Sequence, residues 1–258
     1  MEIRLDGRSA VITGGSKGLG LAMAEKFASS GADVTILARS PETLAEAKQK
    51  IAANAKGKIA AVGCDVSKAA DIRKAFDQVM SEFGKIDIFV NNAGQSTRGP
   101  SETITDEMWQ ADLDLKLFAQ IRFCRLLFPQ MKQRRWGRII SVLNIGAKAP
   151  GADSAPTSVS RAAQMAFTKA LSQEGAPHNV LVNALLVGFI ESDQHVQAAA
   201  RSNVPYVDFL AQRGKTIPLG RAGKAQEFAN IACFLASDAA GYITGSAINV
   251  DGGMSPVV

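Results

Sequence analysis

The chain is poor in the residues that mark several protein classes. It has three cysteines in 258 residues, Cys64, Cys124 and Cys233. They lie far apart and match no metal-ligand spacing, so reduced thiols, no bound metal and a cytoplasmic setting are expected. No stretch approaches the ~20 uninterrupted apolar residues of a membrane span. Residues 1–8 are charged and lack the apolar run of a signal peptide. There is no Pro/Gly/Ser-rich linker, repeat or low-complexity tract, which points to one domain over 1–258. The formal charge is only +5. Basic residues do gather at Arg122, Arg125, Lys132, Arg134, Arg135 and Arg138, but only Trp136 and Phe128 stand among them as aromatics. That cluster reads as the solvated end of a long helix, and no nucleic-acid partner is expected.

What the chain does have is alternation. Short runs rich in Val and Ile recur at Ser9–Thr13, Asp33–Ala38, Lys58–Gly63, Ile86–Val90, Gly137–Leu143, Val180–Leu186 and Ser246–Val250. Most are apolar throughout, as in parallel strands covered on both faces. Amphipathic stretches lie between them. Gly20–Ser30 sets Leu21, Ala24, Phe27 and Ala28 on one side, and Thr105–Lys132 repeats Trp109, Leu113, Leu117, Ile121, Cys124 and Phe128 at steps of three or four. Such alternation implies a doubly wound α/β fold with a parallel sheet and a ligand at the carboxyl ends of the strands.

The first strand runs straight into Thr13-Gly14-Gly15-Ser16-Lys17-Gly18-Leu19-Gly20 and then a helix. Gly14 suits the tight turn, Gly18 the approach of backbone to a pyrophosphate, and Gly20 close helix–strand packing. The helix N-terminus offers free N–H groups to phosphate. The second strand ends Leu37-Ala38-Arg39-Ser40, with no carboxylate to bind a ribose 2′-hydroxyl. Arg39, with Lys17 as a second cation, suits a 2′-phosphate and favours NADP(H) over NAD(H).

These residues resemble the short-chain dehydrogenase/reductase family over essentially the whole chain. Thr13–Gly20 matches the family's Thr-Gly-x-x-x-Gly-x-Gly, and Cys64-Asp65-Val66 matches the segment whose Asp approaches adenine. Asn91-Asn92-Ala93-Gly94 matches the motif that supports the sheet and lines the cofactor groove. Pro218-Leu219-Gly220-Arg221, Thr244-Gly245 and Val250-Asp251-Gly252-Gly253 match the C-terminal signature. The resemblance implies a Rossmann-type sheet of seven strands, a homotetramer or dimer, and a substrate cover at about 191–217. It assigns to the cofactor Gly14, Ser16, Lys17, Gly18, Leu19, Gly20, Arg39, Asp65, Val66, Asn91, Ala93, Gly94, Gly188, Ile190 and Ser192, the last in place of a Thr that grips the carboxamide.

The family's catalytic side chains are a Tyr, a Lys four residues later, a Ser thirteen residues before the Tyr, and an Asn on the long helix. All four differ here: they become Thr157, Arg161, Asn144 and Lys116. Threonine is far less acidic than a phenol, whose pKa is about 10. Arg161 stays protonated and cannot relay a proton, but it can hold ribose hydroxyls or a carboxylate. Asn144 can polarise an oxygen through its amide. Lys116, if turned inward beside Arg161, would lose proton affinity and could act as an acid or base; a helix ion pair with Asp112 is the plainer expectation. His178 reads as a surface residue, and His195 and Tyr206 as packing beside Phe209 and Leu210. Lys148 and Asp153 flank the loop between Asn144 and Thr157. Three functions stay open: an oxidoreductase with a rearranged acid–base group, a nucleotide binder without turnover, and, ranked last, an elimination of the halohydrin-dehalogenase type.

Overall fold

The computed structural model describes residues 2–258, apart from the side chains of Asp193 and Gln194. Seven strands form one parallel sheet in the order β3-β2-β1-β4-β5-β6-β7. They are β1 (Ser9–Thr13), β2 (Asp33–Ala38), β3 (Ile59–Gly63), β4 (Ile88–Asn91), β5 (Gly137–Asn144), β6 (Val180–Val187) and β7 (Ala247–Val250). All seven apolar runs become strands, two with the expected bounds and the others with no end displaced by more than two residues. β1 and β4 are buried along their whole length because helices cover both faces.

One face carries α1 (Gly18–Ser29), α2 (Pro41–Ala52) and α9 (Ala225–Ala236), where Met23, Phe27, Phe228 and Leu235 close a core against Ile12, Ile36 and Val90. Each fully buried aromatic there contributes roughly 1.5–3 kcal/mol. α2 begins where its sequence says it should, with Pro41 in the first turn and Ser40 Oγ accepting from Thr43 N at 3.2 Å. The other face carries α3 (Ala69–Phe83), α4 (Asp106–Leu113), α5 (Ala119–Arg134) and α6 (Ala155–Gly175), with Val79, Phe123, Leu127 and Met131 in its core. After β6 the chain forms α7 (Asp193–Arg201) and α8 (Tyr206–Gly214). Among the described residues no helix is long and apolar enough to cross a membrane.

Two expectations are corrected here. The long helix is not one α-helix: α4 and α5 are joined by a π-helical turn, Asp114–Phe118. Its fully enclosed stripe runs through Asp112, Lys116 and Gln120 before reaching Phe123 and Leu127, while Trp109, Leu113, Leu117 and Ile121 are only half-buried. The buried stripe of the first half is therefore polar, and that is tolerated only because its groups find partners. Nor is the basic cluster uniformly solvated. Arg138 lies in β5, 2% exposed, donating to Gly137 O at 3.0 Å and Asn179 O at 3.2 Å, with its guanidinium 4.3 Å from the Trp136 ring centre.

Candidate functional site

The sheet order reverses between β1 and β4, and the crevice there opens at the carboxyl ends of the strands. Thr13, the last residue of β1, clasps the two halves. Its Oγ1 accepts from Asn92 N and Ala93 N, both at 2.9 Å, and Asn92 Nδ2 donates to Thr13 O at 2.9 Å and Gly14 O at 3.2 Å. Beyond the clasp, Gly18 has φ +53 and open space where its Cβ would stand, leaving room for a group against the backbone. Gly20 is the opposite: a Cβ there would sit 2.1 Å from Gly14 O, so helix and turn touch through a glycine.

Two adjoining clefts occupy the crevice, of about 450 and 390 Å³, sharing Gly14, Lys17, Ala93, Gly94 and Gln95. The smaller is lined by Ser16, Arg39, Ser40, Thr43, Asp65 and Val66. The larger is lined by Gly18, Leu19, Asn144, Thr157, Arg161, Gly188, Ile190, Ser192 and His195. Of the residues assigned to a cofactor, Gly20 and Asn91 line neither cleft: Gly20 packs helix against turn, and Asn91 points inward. Asn91 is fully buried and its Nδ2 donates to Lys116 O at 3.4 Å, whereas its neighbour Asn92 both lines the cleft and ties the glycine turn.

Three of the four substituted positions, Asn144, Thr157 and Arg161, line the larger cleft, and the fourth, Lys116, lies beneath them. Thr157 Oγ1 accepts from Thr97 N at 2.8 Å and from Lys116 Nζ at 3.1 Å, and donates to Thr97 O at 3.1 Å. Lys116 is 0% exposed and lies behind Thr157 instead of lining the cleft. It pairs with Asp112 Oδ1, so the inward-turned lysine and the ion pair are one arrangement. Burial pushes the Lys116 ammonium down to about 8, the Arg161 charge pushes the same way, and Asp112 opposes both. Arg161 donates through Nη1 to Val142 O and Gln164 Oε1, each at 2.8 Å. A Cβ on Gly94 would meet Arg161 Nη2 at 2.6 Å, which places that nitrogen at the floor of the groove. Burial lowers the Arg161 pKa to about 10, so the guanidinium stays charged at neutral pH. Among the described residues, Arg161 Nε and Asn144 Oδ1 are buried without a hydrogen-bond partner.

At the mouth, His195 packs on Phe189 with ring centres 4.2 Å apart, and its Nδ1 is 3.2 Å from Ser192 Oγ. Burial lowers its pKa, with Arg213 adding to the shift. It joins packing to cleft lining, where the sequence suggested packing alone. Lys148 turns away, donating to Ala247 O at 2.7 Å and Asn249 Oδ1 at 3.0 Å. Among the described residues no group of three His, Cys, Asp or Glu could hold a metal.

A dinucleotide-type crevice at a topological switch point, floored by a glycine turn, defines a class of nucleotide-binding α/β proteins, and comparison with known proteins narrows it. The family model of the enoyl-(acyl carrier protein) reductases matches residues 14–255. The chain is 35% identical over 254 residues to a 3-oxoacyl-[acyl-carrier-protein] reductase of Aquifex aeolicus, covering 98% of this chain and 100% of the relative. It is similar in structure to the L-sorbose reductase of Gluconobacter frateurii complexed with NADPH and L-sorbose, with a TM-score of 0.95, 33% identity and full coverage of both chains. It is likewise similar to an NADPH-bound short-chain oxidoreductase of Pseudomonas aeruginosa described as containing an atypical catalytic centre, with a TM-score of 0.92, 36% identity and 99% coverage of each chain. The chain belongs to the short-chain dehydrogenase/reductase family, a family of oxidoreductases.

Proposed function

We propose that this protein is an NADP(H)-dependent oxidoreductase acting on a carbonyl or alcohol through a rearranged acid–base group. The residues of the crevice suit the cofactor. Gly18 leaves open space beside the N-terminus of α1, where among the described residues no side chain caps the free N–H groups. Lys17, Arg39, Ser40 and Thr43 line the smaller cleft; they would take a 2′-phosphate, and Asp65 would face the adenine. Arg161 Nη2 would hold the nicotinamide ribose, and Ser192 and Ile190 the carboxamide side. When bound, NADPH supplies the hydride for carbonyl reduction and is oxidised.

The observation that carries the reading is the 3.1 Å contact between Lys116 Nζ and Thr157 Oγ1 on the cleft wall. Thr157 need not ionise as a phenol does. When its hydroxyl swings from Thr97 O to the substrate oxygen, it gives that oxygen a proton while its own oxygen takes one from Lys116, leaving an alcohol and a neutral amine. Lys116 regains its proton from water through the same hydroxyl once the product has left. Asn144, on the same wall, offers its amide to the substrate oxygen. We read α7 and α8, within 191–217, as the substrate cover of a single-domain, cytoplasmic homo-oligomer.

The test follows NADPH oxidation with acetoacetyl-coenzyme A, L-sorbose and a 3-oxosteroid. The wild type is compared with the variant Lys116→Asn/Asn144→Ser/Thr157→Tyr/Arg161→Lys. Wild-type turnover of any of these is expected. Turnover by the variant alone would sink the reading and leave a nucleotide binder. For the cofactor, Arg39→Asp is expected to weaken NADPH about 10–100-fold, the loss of one or two charge-assisted hydrogen bonds, with NADH changed far less. Fluorescence titration with both nucleotides decides this, and equal losses would argue against a 2′-phosphate contact.

A further inference from the structure

A helix ion pair four residues apart ordinarily lies on a solvated face and contributes a few tenths of a kcal/mol. Asp112 and Lys116 are different, at 3% and 0% exposed. Both carboxylate oxygens of Asp112 are used, in different directions. Oδ1 meets the Lys116 ammonium, and Oδ2 accepts from Ser160 Oγ on α6 at 2.6 Å. The same Ser160 hydroxyl lies 3.1 Å from the carbonyl of Thr157, so one serine touches both the carboxylate and the residue that faces the cleft. The backbone of Lys116 has anchors of its own. Its carbonyl accepts from Gln164 Nε2 at 3.0 Å and Asn91 Nδ2 at 3.4 Å. Asp112 is therefore not what fixes the π-helical turn; what it fixes is the ammonium.

We propose that Asp112 and Ser160 are positioning residues that hold the Lys116 ammonium on Thr157 Oγ1 and set how firmly it keeps its proton. This deepens the oxidoreductase reading and rests on it. The charged groups facing Lys116 are Asp112 on α4 and Arg161 on α6. Its other partners, Thr157 on α6 and the amides of Gln164 and Asn91, are neutral. Burial and Arg161 both favour losing the proton, and Asp112 is the one group that restrains them. Ser160 in turn tempers Asp112, since a donated hydrogen bond spreads the carboxylate charge.

The two variants must then act in opposite directions. Asp112→Asn keeps the shape but removes the restraining charge, so Lys116 should release its proton at least about one pH unit lower. Ser160→Ala strips the carboxylate of its second donor and concentrates its charge, so Lys116 should release its proton at a higher pH. The measurement is a pH titration of lysine side-chain carbons by NMR on the full-length protein with NADP⁺ bound, the Lys116 signal being assigned by its loss in Lys116→Met. The alkaline limb of the NADPH-dependent reduction rate should move with each NMR midpoint. If the ammonium is held and tuned without Asp112 and Ser160, the Lys116 midpoint stays unmoved in both variants, and that result would overturn the proposal. If the midpoints move as expected while none of the carbonyl substrates consumes NADPH, the positioning role stands and the oxidoreductase reading fails.

Discussion

Lys116→Met is expected to lower stability by about 3–5 kcal/mol, the cost of leaving one partner of a buried ion pair without the other. For a chain of this size that is a fall in Tm on the order of 10 °C. The reason lies with what remains. Asp112 would keep a carboxylate inside the protein with Ser160 as its surviving hydrogen-bond donor, and Thr157 would lose one of its donors. Methionine fills much the same volume, so packing loss is a minor part. The double variant Lys116→Met/Asp112→Leu removes both charges and should recover most of the loss, because an apolar pair of similar size avoids desolvating ions altogether. Chemical denaturation of the three proteins measures this directly. A single variant within about 1 kcal/mol of wild type would mean that Asp112 reaches solvent or takes up a proton at little cost, contrary to its enclosure.

Gly20→Ala should be the most damaging change at the nucleotide end. Its methyl group would stand 2.1 Å from Gly14 O and 2.7 Å from Asn92 Nδ2. Neither neighbour is the far end of a flexible chain, since one is backbone and the other already bonds Thr13 O and Gly14 O. The start of α1 must move, and with it the free N–H groups meant for phosphate. A loss of NADPH affinity of about 100-fold or more is expected, which is about 2.7 kcal/mol, together with a lower Tm. Gly18→Ala makes the comparison informative. Its methyl meets nothing, but φ of +53 imposes a strain of roughly 1–2 kcal/mol on a residue with a side chain. Binding titrations in which the two alanine variants lost affinity equally would show that backbone strain, and not helix packing, is what the glycine turn is guarding against.

Most of the fold was legible because its determinants are local. β1 and β6 are buried runs of mostly apolar residues, and Ser40-Pro41 announces α2. Much of the groove was legible for the same reason: Gly14 to Gly20 and Arg39 are fixed by where their strands end. The long helix was harder. Steps of three and four through Trp109, Leu113 and Leu117 point an apolar stripe inward, yet the structure buries Asp112, Lys116 and Gln120. Periodicity ranks residues by hydrophobicity and cannot see that Ser160, Gln164 and Ser141 supply the missing partners from other elements. Asn91 and Asn92 show the same limit. They are identical side chains on successive residues, and only the last pairing of β4 with β5, Asn91 with Ser141, fixes which one turns inward. Asp112 did leave a signal, a carboxylate four residues before a lysine at a catalytic position, but its burial could be learned only from the packing of α4 on α6.

The sheet order also governs when this chain becomes able to bind anything. β1 sits between β2 and β4, so the glycine turn gains one neighbour early in synthesis and the other only after residue 91. Thr13 meets Asn92 across 79 positions of sequence, a long loop to close before any contact rewards it. The clasp therefore forms late in folding, and nucleotide affinity reports that the two halves of the sheet have joined. A nascent chain released before β4 would carry every glycine of the turn and still have nothing to hold it shut.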